Sequence, residues 1–216
     1  MAKKQIVKDK KDQTAKVIWG ILLLIVVFFV SFFAFRGLGT IEYKGLTFTK
    51  ESIGQNLEVY HYYYLYKDKS GQIVQNNIYL RQNPETNEIP VMGDSITYLP
   101  KKFTYVTINA SAMEGCKNNA IALSELSAFL VNGGLQVRGA VMVNDTSLTE
   151  NNATRYVTCK TDKYNSVIQV NYGNESKVDV SGLCSNIQFS TCDDLLPAVE
   201  KFIVESIVDA KEASSN

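Results

Sequence analysis

The sequence predicts a mixed α/β (α+β) protein: one N-terminal transmembrane helix, then an extracytoplasmic domain with a β-hairpin, a βαβ unit, a small β-meander and a C-terminal helix. Three observations predict it. Val17–Phe35 is an apolar run with no charge and no proline, and a bilayer core needs roughly 20 such residues as a helix. Leu57–Lys67 alternates with period two and returns, after a turn, as a second extended run. Phe103–Val143 reads strand, helix, strand, the pattern of a parallel crossover unit.

The expected organisation has three parts: 1–16, a cytoplasmic basic segment; 17–36, the transmembrane helix; and 37–216, the extracytoplasmic α/β domain. Lys3, Lys4, Lys8, Lys10, Lys11 and Lys16 precede the apolar run, opposed only by Asp9 and Asp12. That bias orients such a run with its N-terminus inside, so the expected location is a single-pass cell-membrane protein with its C-terminal domain outside and residues 17–36 in lipid. Two other readings compete. A cleaved secretory signal has a shorter apolar region and small residues at its cut, whereas Phe32 stands two residues before Ala34. A pilin-like subunit, cut near Ala15 and assembled into a surface filament through its apolar helix, lacks the usual charged residue before the cut.

The chain has 22 basic and 22 acidic residues. Because lysine is concentrated at the N-terminus, the remainder is acidic on balance and lacks the basic excess that phosphate backbones require. Nucleic acid is therefore disfavoured. Twelve tyrosines and ten phenylalanines supply aromatic surface for a core. The four cysteines, Cys116, Cys159, Cys184 and Cys192, follow the apolar run, and an even number outside the cytoplasm suggests two disulfides. Topology favours Cys116 with Cys159 and Cys184 with Cys192. No close cysteine pair of the zinc-binding kind occurs, and no metal or cofactor is expected. Candidate glycan acceptors are Asn144, Asn152 and Asn174, with Asn109 disfavoured at the end of a buried strand.

In chain order, Thr40–Thr49 reads as one strand. Along Leu57–Lys67, Tyr60, Tyr62, Tyr64 and Tyr66 share one face, and Leu57, Val59, His61, Tyr63 and Leu65 the other. The tyrosine ladder is the candidate binding surface, for a surface protein or a glycan. Its structural alternative is a face packed on a helix with hydroxyls at the rim. His61, on the more apolar side, reads as a satisfied core residue. Lys67–Gly71 is a turn, and Gln72–Arg81 completes the hairpin. Gln82–Tyr98 is a shaped loop rich in proline, glycine and asparagine. Phe103–Ile108 is a strand. Cys116–Val131 is a helix presenting Ala120, Leu123, Leu126, Phe129 and Leu130, closed by Gly133 and Gly134. Leu135–Val143 is the next strand. Tyr156–Lys160, Asn165–Tyr172, Lys177–Ser181 and Ser185–Phe189 are short strands, the last three as a meander. Asp193–Lys211 is an amphipathic helix with Leu196, Val199, Phe202, Ile203, Ile207 and Ala210 on one face, with Thr191 as its cap.

Tyr79-Leu80-Arg81-Gln82-Asn83-Pro84, Glu88-Ile89-Pro90-Val91, Tyr156-Val157-Thr158-Cys159, Ser166-Val167-Ile168-Gln169-Val170, the Cys184 to Cys192 spacing and Ala198-Val199-Glu200-Lys201-Phe202 form a recurring set. In these the chain resembles uncharacterised single-span, membrane-anchored surface proteins of small-genome archaea. That resemblance implies anchoring and an outer domain, and it brings no activity with it.

Catalytic signatures are absent from the sequence: no phosphate loop, no nucleophile elbow and no zincin helix. His61 is the only histidine. Asp193 and Asp194, adjacent on a helix start, suit capping better than paired acid–base chemistry. The expected function is binding or scaffolding at the cell surface by a membrane-anchored domain.

Overall fold

The computed structural model describes residues 18–32, 39–54, 57–67, 71–99, 101–143 and 155–215. The chain divides into two compact units, one up to Ile41 and one from Glu42 onward. In the first unit, residues 18–32 form helix α1, and nearly all of its side chains are exposed. This corrects the expected single-pass anchor over residues 17–36. Among the described residues no helix is long and apolar enough to cross a membrane. At about 1.5 Å per residue, a helix over 18–32 falls short of a core of roughly 30 Å. The remaining residues of the apolar run, and the basic segment before it, lie outside the described residues.

Strands β1 (Thr40–Tyr43), β2 (Leu46–Ile53), β3 (Leu57–Lys67) and β4 (Ile73–Leu80) form a four-stranded sheet in that order. The single strand expected over Thr40–Thr49 is two, because Lys44 (φ 46°) and Gly45 (φ 75°) both adopt left-handed backbone. Two such residues in succession are what a tight two-residue hairpin turn needs. The expected β3–β4 hairpin is present, with Tyr60 opposite Leu80 and Tyr66 opposite Val74.

The second sheet has seven strands. They are β5 (Val91–Gly93), β6 (Phe103–Ile108), β7 (Gln136–Val141), β8 (Arg155–Tyr156), β9 (Ser166–Tyr172), β10 (Lys177–Ser181) and β11 (Cys184–Phe189), arranged β5-β10-β11-β9-β6-β7-β8. The β6 and β7 strands are parallel neighbours joined through helix α2 (Asn119–Asn132), so the strand–helix–strand unit stands. The meander does not. Parallel β9 and β11 are neighbours, with Val167 opposite Cys184, and β10 lies beyond β11 as its antiparallel partner. The short β5 inside the expected loop pairs with β10. Gly93 is required there, since a Cβ would lie 1.9 Å from the Val180 carbonyl oxygen.

Helix α3 (Leu195–Ser215) runs between the two sheets. It is not the one-faced amphipathic helix the periodicity suggests. From Ala198 to Val208 every residue is buried, including Glu200, Lys201 and Glu205. Pro197 sits in its first turn, where an amide proton is not needed.

The two disulfides are Cys116–Cys192 and Cys159–Cys184, which corrects the pairing inferred from chain proximity. Cys184 opens β11, while Cys192 follows its other end. At about 3.3 Å per residue that strand separates them far beyond the roughly 7 Å between Cα atoms that a disulfide spans. Cys192 instead precedes α3 and meets Cys116 ahead of α2, fastening the starts of the two helices. Cys159 crosses to the outer face of the large sheet, beside the small core of Tyr105, Ala140, Val157 and Val167. Two disulfides point to an extracellular or secreted setting.

Non-reduced peptide mapping should recover the 116–192 and 159–184 pairs. The closed loops span 76 and 25 residues. On loop entropy, removing Cys116–Cys192 should therefore cost about 1 kcal/mol more stability than removing Cys159–Cys184, measured by urea unfolding of the paired alanine variants.

Candidate functional site: a tyrosine-lined cavity

The alternation in β3 puts Tyr60, Tyr62, Tyr64 and Tyr66 on the face turned toward the helices, the structural alternative anticipated for the ladder. Tyr60 is buried in the core. Phe48 packs on Tyr62 at 5.4 Å, and Tyr64 lies 6.4 Å from Tyr62 and 6.1 Å from Tyr66. Tyr62 and Tyr64 then line a cavity of about 440 Å³, and Tyr60 and Tyr66 do not. The other walls come from Tyr98, from Phe129 and Leu130 near the end of α2, and from Ile207 of α3. Ala210 and the exposed Lys211 continue α3 along its rim. Small-molecule sites are of this kind: a mostly apolar concavity of about 300–1,000 Å³ with few polar groups.

Three of the hydroxyls inside, those of Ser206, Tyr98 and Tyr64, are hydrogen-bonded. Ser206 Oγ donates to the Phe202 carbonyl at 2.8 Å and so accepts from Tyr98 Oη at 3.1 Å. Tyr64 Oη accepts from Asn76 Nδ2 at 2.6 Å. Burial raises the phenol pKa of Tyr62, Tyr64 and Tyr98 and keeps all three neutral.

The opposite face of the sheet carries Leu57, Val59, His61, Tyr63 and Leu65: Val59 is buried, Tyr63 and Leu65 are exposed, and His61 lies between, its side chain 16 % exposed. Its Nδ1 lies 2.7 Å from Glu51 Oε1 and its Nε2 3.0 Å from Asn77 Oδ1, and its ring stacks on Tyr79 at 4.5 Å.

Three polar clusters surround the buried helix. Glu200, 1 % exposed, accepts the backbone N–H groups of Arg81 (2.6 Å) and Gln82 (2.8 Å) on its two oxygens. Burial pushes its carboxyl up to about 8, against the pull of those two bonds. Burial also raises Glu125, whose carboxyl reaches Glu200 and lies 3.5 Å from Arg81 Nε. Glu125 Oε2 is buried without a donor, so the two carboxyls are joined only when they share a proton. Both Glu200 oxygens serve the backbone, which makes this pair structural rather than a general acid and base. In the second cluster, Lys201 Nζ donates to Tyr43 Oη (2.7 Å) and the Asn87 carbonyl (3.1 Å), while Tyr43 Oη and Lys44 Nζ donate to Glu205 at 2.7 Å each. Burial lowers the lysine and, with Glu205, raises the tyrosine. The third cluster opens α3. Burial opposes ionisation of Asp194, yet bonds from Ser176, Thr191 and Ser190 prevail and hold its carboxyl below the ordinary range. Asp194, rather than Thr191, directly precedes the helix, and its carbonyl accepts from Ala198 N–H.

Among the described residues no group of three or more His, Cys, Asp or Glu side chains is placed to hold a metal. Of the candidate glycan acceptors, Asn174 is exposed in the β9–β10 connection, and Asn144 and Asn152 lie outside the described residues. Sequence reasoning missed Tyr98, Phe129, Ile207 and Lys211, because the cavity joins segments far apart in the chain. It also missed Glu125 and Glu200. For Glu200 a signal existed, a carboxylate inside the apolar stretch Leu195–Val208. The chain matches no protein-family model, no curated protein sequence and no solved structure.

The Glu200 carboxyl makes stability pH-dependent. Below its ordinary value of 4.5 both folded and unfolded chains hold the proton. Above it the unfolded chain releases the proton first, so stability should fall between pH 4.5 and about 8. Urea melts across that range should show the fall, and Glu200→Gln should flatten it. An undiminished slope in the variant would assign the effect to other groups.

Proposed function

We propose that residues 42–216 form an extracytoplasmic binding domain whose ligand is a small, largely apolar molecule held in the tyrosine-lined cavity. The cavity itself carries the reading: about 440 Å³, walled by aromatic and aliphatic side chains, with the Tyr64, Tyr98 and Ser206 hydroxyls hydrogen-bonded to the protein. The two disulfides support the compartment. The reading keeps the expected binding role and moves it from a flat tyrosine surface to a concave one.

N-Phenyl-1-naphthylamine, an uncharged apolar probe, should brighten on binding the protein. Ala210→Trp places an indole at the exposed edge of the cavity and should abolish that signal while circular dichroism stays unchanged. Equal fluorescence in the variant would place the probe elsewhere and remove this reading.

A second reading, docking of a partner protein, is favoured by the outer face of the small sheet. There Leu65 is 61 % and Ile73 68 % exposed, beside Tyr63 and Tyr79. If that face mediates association, Leu65→Glu with Ile73→Glu should reduce it in sedimentation while leaving probe binding intact.

A further inference from the structure

We propose that the ligand of this cavity is an anionic amphiphile, in chemistry a long-chain carboxylate: apolar chain inside, head group on Lys211. The inference rests on the cavity being a binding site and adds the charge of the ligand. Among the described residues, Lys211 is the only charged side chain lining the cavity. Its ammonium donates to the Gly45 carbonyl at 2.6 Å and forms no ion pair among the described residues. An ammonium has three donors, so one neutral carbonyl leaves it both charge and hydrogen-bonding capacity for an anion.

The interior offers no charged group to a polar head. Ser206 and Tyr98 have the partners described above, and Tyr62 and Tyr64 present neutral phenols. A cationic head would instead meet the like charge of Lys211 at the rim, and the nearest carbonyls that could offset it, the last of α2, each already accept a bond. Gly133 N–H bonds to Phe129 O at 2.9 Å, Gly134 N–H to Val131 O at 2.9 Å and Leu135 N–H to Leu130 O at 3.1 Å. Nearby acidic groups do not compensate Lys211 either. Asp209 Oδ2 accepts the Ile96 N–H at 2.6 Å, and Glu212, one residue along an exposed helix turn, points elsewhere. The buried phenols stay neutral, so they do not repel a carboxylate at the rim.

Competition against N-phenyl-1-naphthylamine on the full chain tests this with three chain-matched probes: laurate, dodecanol and dodecyltrimethylammonium. Laurate should displace the dye at a concentration about fivefold lower than dodecanol, the size of an exposed ion pair, and dodecyltrimethylammonium should be weakest. Lys211→Met should bring laurate down to dodecanol, and Lys211→Arg should restore the difference. Lys211 is exposed and holds one neutral carbonyl, so both variants should melt like the parent. Equal displacement by laurate and dodecanol, a preference for the quaternary ammonium, or no effect of Lys211→Met overturns the anionic assignment and leaves the cavity reading standing. Failure of the dye and all three probes to bind overturns both.

Discussion

Everything in the second unit depends on α3 being buried on all sides. A helix between two sheets has no solvent face for its charges, yet Glu200, Lys201 and Glu205 lie in its middle at 1 %, 8 % and 5 % exposure. An uncompensated buried charge costs several kcal/mol, so each must be met by a fixed partner. The partners come from the small sheet and the loop after it. The Arg81 and Gln82 amides cap Glu200, Asn87 and Tyr43 hold Lys201, and Tyr43 with Lys44 holds Glu205. The hairpin turn at Lys44 and Gly45 is thus more than a connection. It sets the distance at which Tyr43 and Lys44 both reach one carboxylate. Apolar area glues the layers, and these bonds fix their register, because each of the three ionisable groups meets its partners at this placement.

The same arrangement explains why one end of the helical layer is closed and the other is not. Cys116–Cys192 fastens the starts of α2 and α3, and the hydroxyl cluster around Asp194 adds its bonds there. Toward their ends the helices carry Phe129, Leu130, Ile207 and Ala210, which face Tyr62 and Tyr64 without filling the space between. Cysteines and short hydroxyl side chains pack closely. Tyrosines on a pleated strand stand apart at the spacing of alternate residues, their hydroxyls demanding partners before their rings can interdigitate.

Local pattern carried far in this chain. Period-two alternation in Leu57–Lys67, the glycine-closed helix at Gly133 and the strand–helix–strand order of β6, α2 and β7 were all legible, because each is decided by neighbours in sequence. What pairs across the chain was not. The Ser166–Phe189 strands have meander spacing, yet β11 inserts beside β9, a choice made by the buried faces of Val167, Ile168 and Ile187 against the rest of the sheet. The cysteine pairing followed from that insertion and could not precede it. The inward face of β3 was ambiguous for a related reason. Leu57, Val59 and Leu65 look the more apolar set, but the helical layer accepts tyrosines, and Leu57 and Leu65 were left exposed while Val59 is buried. The periodicity of α3 misled because its charges suggested a wet face where partners from β1 and β4 were waiting. The apolar run at residues 17–35 is the largest discrepancy: composition fits a span, whereas among the described residues no helix is long and apolar enough to cross a membrane.

The tyrosine-lined space also argues for itself on packing grounds. Protein interiors fill to crystal-like density, and voids larger than a water molecule are few. The space of about 440 Å³ is a cleft open to solvent at its Ala210–Ser214 rim rather than an interior void, yet it leaves apolar walls uncovered. A larger aliphatic side chain at the exposed Ala210 would cover part of it without backbone strain, whereas a Cβ at Gly133 would press on the Phe129 carbonyl oxygen at 3.3 Å. Keeping the space leaves Phe129 and Tyr64 half-buried and their apolar surface wet, at about 25 cal/mol for every Å² not covered. An occupant that covers this surface recovers that energy. Of the charges in reach of such an occupant, Lys211 is the one the fold leaves without an ion pair.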